Sequence, residues 1–177
     1  MPLTGINHDS DFSRALKKIF AWPDMDAWRE AFLLLCLFSL LAVPFGLQTG
    51  LLVWQPSLDG LLALMLVAFL APALLEEVVF RGPLLLFHQR TRKVVAAAIL
   101  LFLFVLWHPV NGTFLMTAAG TLFTDLRFLI VAFALGLICT IITLRSKSLW
   151  PAVLVHWLVV VSWKGFFGGP QFLTGSA

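Results

Sequence analysis

Leu74-Leu75-Glu76-Glu77-Val78-Val79-Phe80-Arg81 sets two acids and a base inside an apolar run that begins at Leu61 and resumes at Leu84. At the centre of a membrane helix a charge costs roughly 2.5–3.5 kcal/mol on insertion scales, so such residues persist there only if they pair, take up a proton or do chemistry. On a helix Glu77 and Arg81 are four apart and share a face, acid first, which is the favourable order for an ion pair. Glu76 lies about 100° round from Glu77 and has no base at that spacing. The pattern gives Glu77 to Arg81 and leaves Glu76 for chemistry.

The surrounding chain fits a membrane setting. It has 177 residues, 60% hydrophobic and 12% charged, with mean hydropathy +0.97, whereas a soluble domain carries about 25% charged residues. The expected fold is all-α: a polytopic transmembrane helical bundle in which residues 1–177 form a single membrane domain. The first thirty residues are polar and mixed in charge, unlike a removable signal peptide. A net charge of +3 is too small to argue for a nucleic-acid partner. Cys36 and Cys139 both fall in apolar runs, where buried packing is expected rather than a disulfide. Seven tryptophans occur with no tyrosine, a bias that composition alone does not explain.

Residues 10–21 repeat Phe12, Ala15, Leu16, Ile19 and Phe20 at helical spacing, with Arg14, Lys17 and Lys18 elsewhere around the turn. This reads as an amphipathic helix lying on a membrane face, with Ser10 as its N-cap. Trp22-Pro23-Asp24 turns the chain, and Trp28 and Arg29 sit where interfacial anchors belong. The first span is expected from Ala31 to Leu47, extending as far as Trp54, with Pro44 and Gly46 as bend points. A second long helix starts near Gly60, carries the acids, kinks at Gly82-Pro83 and ends at His88–Lys93. The third span runs from Val94 to His108 and stops at Pro109. Residues 111–125 are apolar but too short to cross, so a re-entrant or interfacial piece is expected. Phe128–Leu144 and Leu149–Phe166 complete about five spans. Arg14, Lys17, Lys18, Arg29, Arg90, Arg92, Lys93, Arg145 and Lys147 fall on one side of these crossings, and only Arg127 and Lys164 on the other. The positive-inside rule then puts the N-terminus in the cytoplasm and the C-terminus outside.

His108 and His156 lie in apolar spans, while His8 and His88 lie in polar stretches. With a rise of about 1.5 Å per residue, Glu76, Glu77 and His108 all come out roughly 20–25 Å from the Arg90–Lys93 loop. The same count leaves His156 roughly 10 Å short. A buried carboxylate beside a histidine is what general-base activation of water requires. Other readings stay open: a purely structural Glu77–Arg81 pair, a zinc site built from the carboxylates and histidines, or a non-enzymatic immunity or chaperone-like membrane partner. Zinc is disfavoured by the missing His-Glu-x-x-His and by an arginine four residues from the acid. Nothing near Cys139 would lower a thiol pKa for nucleophilic attack.

Glu76-Glu77-x-x-x-Arg81, then Phe104-x-x-x-His108, then a histidine following Ser148-Leu149-Trp150-Pro151-Ala152, together resemble the CAAX protease and bacteriocin-processing (Abi) family, relatives of the Ras-converting enzyme. The resemblance covers about residues 61–164. It implies a glutamic intramembrane endopeptidase, without metal or other cofactor, acting on a membrane-anchored protein or peptide in the bilayer, which for a bacterial member is the inner membrane. Carried onto this chain, Glu76 resembles the general base, His108 the residue that positions water, and His156 an oxyanion stabiliser. Glu77 and Arg81 resemble the supporting pair, with Phe104 beside them. The sequence departs from the family one turn after His156, where Val159 and Val160 replace the usual Asn or Asp. A lost oxyanion donor is worth about 2.7–4 kcal/mol in the barrier, and Asn111, Trp157, Ser162 or a backbone amide are the candidate replacements. The Ser-Leu-Trp-Pro-Ala-Val and His-Trp pattern also resembles a bacterial sorting-type, myxosortase-like subgroup.

Overall fold

The computed structural model describes residues 8–57 and 59–170. Among these, regular structure is helical apart from one isolated parallel bridge between Gln55 and Phe167. The first helix, α1, spans His8–Ile19 and keeps Lys17 and Lys18 in its last turn, where cations complement the helix dipole. It starts before Ser10, so Ser10 lies inside the first turn and is not the N-cap expected from the sequence. Helix α2 (Met25–Thr49) is capped by Asp24, whose side chain accepts from Ala27 N at 2.8 Å, and is closed by Gly50 at φ 72°. Pro44 stays inside it. Its Ala31 and Phe38 turn inward while Leu33, Leu37, Leu40 and Leu41 are exposed, as lipid-facing residues are. Cys36 is on that outer face, contrary to the burial expected for both cysteines; Cys139 is buried.

The acid-bearing stretch is not one long helix. Helix α3 (Leu61–Ala68) gives way to a π-helical turn at Phe69–Leu74, then to α4 (Leu75–Phe80) and a 3-10 turn at Gly82–Leu85. The break falls at Pro72, a residue the sequence reading passed over. Proline removes a ladder N–H and disfavours the α region for the residue before it, and Ala71 adopts φ −141°, ψ 116°. Gly82-Pro83 ends the helix rather than kinking it, and α5 (Arg90–Phe114) starts afresh.

Pro109, expected to stop the third span, lies within α5. Neighbouring groups re-satisfy a ladder broken by proline in membrane helices. Beyond it come a 3-10 turn at Thr117–Ala119 and the short helix α6 (Gly120–Phe123). This piece folds back on α5 because Gly112 has no side chain. A Cβ there would lie 2.8 Å from Phe123 Cβ and 3.2 Å from Gly120 Cα.

Helix α7 (Leu126–Ser146) packs against α2, α5 and α8 (Trp150–Phe166). Between membrane helices association relies on close packing of small residues, and α7 buries Ala132, Gly136, Cys139, Thr140 and Thr143. Its N-cap Asp125 accepts from Arg127 N at 2.8 Å and pairs with the Arg127 side chain. Those hydrogen bonds hold the Asp125 carboxyl down to about 2. Arg127 also donates to Thr49 O at 2.6 Å, tying the end of α2 to the start of α7.

Among the described residues, four stretches are long and apolar enough to cross a membrane: Met25–Thr49, Leu61–Leu85, Arg90–Phe114 and Leu126–Ser146. Trp150–Phe166, at 17 residues, is apolar but shorter. The chain is an integral membrane protein with an all-helical bundle. The end of α1 and the two residues after it secure the start of the short α8 through three bonds: Leu149 N donates to Ile19 O at 3.1 Å, Ser148 Oγ to Ala21 O at 2.6 Å and Trp150 Nε1 to Phe20 O at 3.1 Å. Trp22, Trp28 and Trp150 cluster at this end, and Trp54 packs on Phe166 and Phe167 elsewhere.

Candidate active site

Glu77 and Arg81 form the predicted pair. Arg81 Nη1 donates to Glu77 Oε1 at 3.1 Å with both side chains buried. The guanidinium has two further partners that spacing did not reveal. Nη2 donates to Gly136 O at 3.1 Å, and the plane sits 4.1 Å from the centre of the Phe104 ring. Gly136 allows this because α5 crosses α7 there. A Cβ on it would lie 2.8 Å from both Leu101 Cδ1 and Phe104 Cδ1. Phe104, 1% exposed, also meets the rings of Phe80, His108 and His156.

His156 stands between the two acids. Its Nδ1 lies 2.8 Å from Glu77 Oε1, and because a carboxylate only accepts, Nδ1 carries the donated proton. Nε2 faces Glu76 Oε2 at 3.9 Å, beyond hydrogen-bond range. Glu76 accepts from Trp107 Nε1 at 3.1 Å through Oε1, and Oε2 is buried with no hydrogen bond among the described residues.

Counting down to the Arg90–Lys93 loop leaves His156 short because that loop is the wrong ruler. The acid-bearing helix ends at Phe80, and the turn after it packs on Ile19 in a cluster shared by Leu85 and Leu149. Glu77 is thus five residues from Gly82, and His156 is seven residues from Leu149, at about the same level.

A cavity of about 350 Å³ collects Glu76, Phe104, His108, Asn111, His156 and, at a further point on its wall, Lys164. Most of its lining is apolar, from α2, α5, α7 and α8. His108 Nδ1 lies 2.9 Å from Phe104 O. A carbonyl only accepts, so Nδ1 holds the proton and Nε2 of the neutral ring is an acceptor. Asn111 is on the same wall one turn on, and Val160 is there too. Trp157 is not. Its N–H goes to Met65 O at 2.8 Å and its ring packs on Phe69, so the indole suggested as an oxyanion donor is occupied with the broken helix instead. His88 is exposed, and the side chain of His8 lies outside the described residues.

Trp107 and Lys164 escaped the sequence reading as site residues. Trp107 gave only an apolar signal in a helix read for its histidine. Lys164 was counted as a loop charge, yet it is 2% exposed. Among the described residues, no three His, Cys, Asp or Glu side chains are grouped to hold a metal ion.

No curated protein and no solved structure matches the chain. A family profile does, over residues 58–162, a stretch that takes in Glu76, Glu77, Arg81, Phe104, His108 and His156. That stretch is more than half of the chain, and its match places this protein in the Rce1-like family of type II CAAX prenyl endopeptidases.

Proposed function

We propose that the protein is an intramembrane endopeptidase that hydrolyses a peptide bond in a membrane-anchored substrate with water activated by Glu76. The observation that carries this reading is the contrast within Glu76 itself. One oxygen is oriented by Trp107, and the other is buried at the cavity beside His156 Nε2 without a hydrogen bond.

In the step we assign, the Glu76 carboxylate removes a proton from water while the water oxygen bonds to the scissile carbonyl carbon. His108 Nε2, an acceptor, holds the second water hydrogen. Negative charge develops on the carbonyl oxygen and is met by His156. Its Nδ1 is anchored on Glu77, which aims Nε2 at the reacting centre, where an Nε2–H is the donor this step requires. Asn111 is the second candidate donor, taking the place of the polar residue that Val160 lacks. As the C–N bond breaks, the proton on Glu76 passes to the leaving amine. Arg81 holds Glu77 in register without touching the substrate, and Phe104 packs on Arg81 and His156 from the cavity wall. The apolar cavity receives the lipidated or hydrophobic part of the substrate, for which the family's prenylated CAAX tail is the first candidate. The excess of Lys and Arg on one side of the crossings supports a cytoplasmic N-terminus.

The test is cleavage of a prenylated CAAX reporter peptide by purified protein in liposomes. Cleavage that survives a strong chelator supports the reading. Loss of activity on chelation, restored by zinc, would overturn the metal-free mechanism, and no cleavage of any lipidated reporter would overturn the peptidase reading.

A further inference from the structure

We propose that the cavity takes its substrate from the extracytoplasmic side of the membrane, so that the polypeptide to be cut is one already carried across the bilayer; this rests on the peptidase reading above and on a cytoplasmic N-terminus.

The two ends of the bundle differ in charge. At one end Ile19, closing α1, accepts from Leu149 N and packs with Leu85, so α1, the turn after α4 and the turn before α8 meet there. That end carries Lys17, Lys18, Arg90, Arg92, Arg145 and Lys147. At the other end the segment after α2 runs beside the chain leaving α8. Gln55 N donates to Phe166 O and Ser57 N to Gly165 O, both at 2.8 Å. Arg127 at that end is matched by Asp125. The positive-inside rule supports a cytoplasmic place for the first end and an external one for the second.

The cavity lies wholly between the acids and the second end. Helix α2 lines it from Leu35 onward, α5 from Phe104 onward and α8 from His156 onward, and all three run away from the basic end. Helix α7 runs the opposite way and lines it only as far as Leu135, and α4 only as far as Glu76. Helices of both directions therefore agree on which half is hollow. Along α8 the cavity extends from His156 to Trp163, about 10 Å of helix, and Leu158 and Ser162 on that wall are exposed. The other side of Glu76 is sealed. Glu77 and Arg81 are buried there as a pair, with Arg81 bonded to Gly136 O, and Leu85, Leu149 and Val153 pack on Ile19. A peptide arriving from the basic end would have to part a buried ion pair, which is strongly destabilising. One arriving from the other end meets the cavity directly. Export of the substrate must then precede the cut, and a lipidated tail is cut only when presented at the outer face.

Right-side-out and inverted membrane vesicles from a bacterial expression host read the side of entry. The reporter is a prenylated CAAX peptide fused to a folded soluble protein that cannot cross the bilayer, added from outside. Cleavage is expected in right-side-out vesicles and should be lost in inverted ones until detergent opens them. A second measurement needs no peptidase activity. In a Cys36→Ser background, which leaves the buried Cys139 as the other thiol, Ser162→Cys should react with a membrane-impermeant maleimide in right-side-out vesicles only. An epitope appended to the C-terminus and probed in the same vesicles reports which way the bundle lies. Cleavage or labelling confined to inverted vesicles overturns the proposal. So do equal rates from both sides, or a Ser162→Cys variant that neither preparation labels. An epitope exposed only on inverted vesicles overturns the assignment of the outer end, and the proposal with it. If detergent-opened membranes cut no lipidated reporter while Ser162→Cys is labelled from outside, the peptidase reading falls and the outward opening of the cavity stands.

Discussion

Glu76 and Glu77 are adjacent in the chain but belong to two different regions. Around Glu77 the bundle is closed: its Oε2, like that of Glu76, has no hydrogen bond among the described residues, but Glu77 does not line the cavity. The carboxylate accepts from Arg81 and His156 on one oxygen, and Arg81 is in turn fixed by Gly136 O and the Phe104 ring. Around Glu76 the bundle opens into a cavity, and among the described residues its carboxylate accepts a hydrogen bond from the neutral indole of Trp107 alone. The difference shows how one charged segment serves two ends. A charge compensated by a buried cation builds the scaffold, and its neighbour, one-third of a turn round the helix, lines the cavity, where the proposed mechanism gives it the water.

The comparison breaks most visibly at Arg81. Arg81→Leu leaves Glu77 buried without its cation, and breaking a buried pair in this way costs about 3–5 kcal/mol. A large fall in thermal unfolding temperature is expected in detergent, with recovery of part of it in the Glu77→Leu/Arg81→Leu double variant, which removes both charges. A double variant less stable than Arg81→Leu would show that the pair is not what the closed region depends on.

On the open side the expected effect is smaller and kinetic. Trp107→Phe keeps the ring but removes the bond that orients Glu76, so turnover should fall about tenfold with the unfolding temperature nearly unchanged. Unaltered turnover would mean that Glu76 is positioned by something else.

The smallest effect lies outside the membrane, at Asp125. Its carboxyl is held down to about 2 by hydrogen bonds from Arg127, below an unfolded value of about 3.9. A depressed acid contributes its stability above the unfolded pKa and loses it as pH falls through the folded one. The tie from Arg127 to Thr49 O should therefore loosen between about pH 4 and 2. Asp125→Asn should remove that part of the pH dependence, which melting curves across this range would read. An identical acid profile in Asp125→Asn would contradict it.

Patterns that are local in sequence were legible. Glu77 and Arg81 meet because four residues make about one helical turn, and the apolar runs marked four long stretches and a shorter one. What depends on tertiary contact was not. The partners of Arg81 beyond Glu77 sit 55 and 23 residues away, at Gly136 O and Phe104, and nothing in the sequence of α4 specifies them. Depth counts failed for His156 because they assumed unbroken helix from Gly60 to the loop, whereas Pro72 and the turn after Phe80 reset the level. Pro109 was read as a stop by a rule drawn from isolated helices, and here the helix runs through it. The tryptophan bias acquires a partial physical account. Trp107 and Trp157 place their N–H groups on Glu76 and Met65 O, and Trp22, Trp28 and Trp150 pack together where α1 meets α8.

The most direct test sets the two acids side by side: turnover and unfolding temperature of Glu76→Gln and Glu77→Gln, reconstituted identically with the prenylated peptide. Glu76→Gln should lose about a hundredfold or more in kcat, the scale of general-base catalysis, while melting like the wild type, and Glu77→Gln should melt clearly lower. Near-normal turnover by folded Glu76→Gln protein would contradict the assignment of the base.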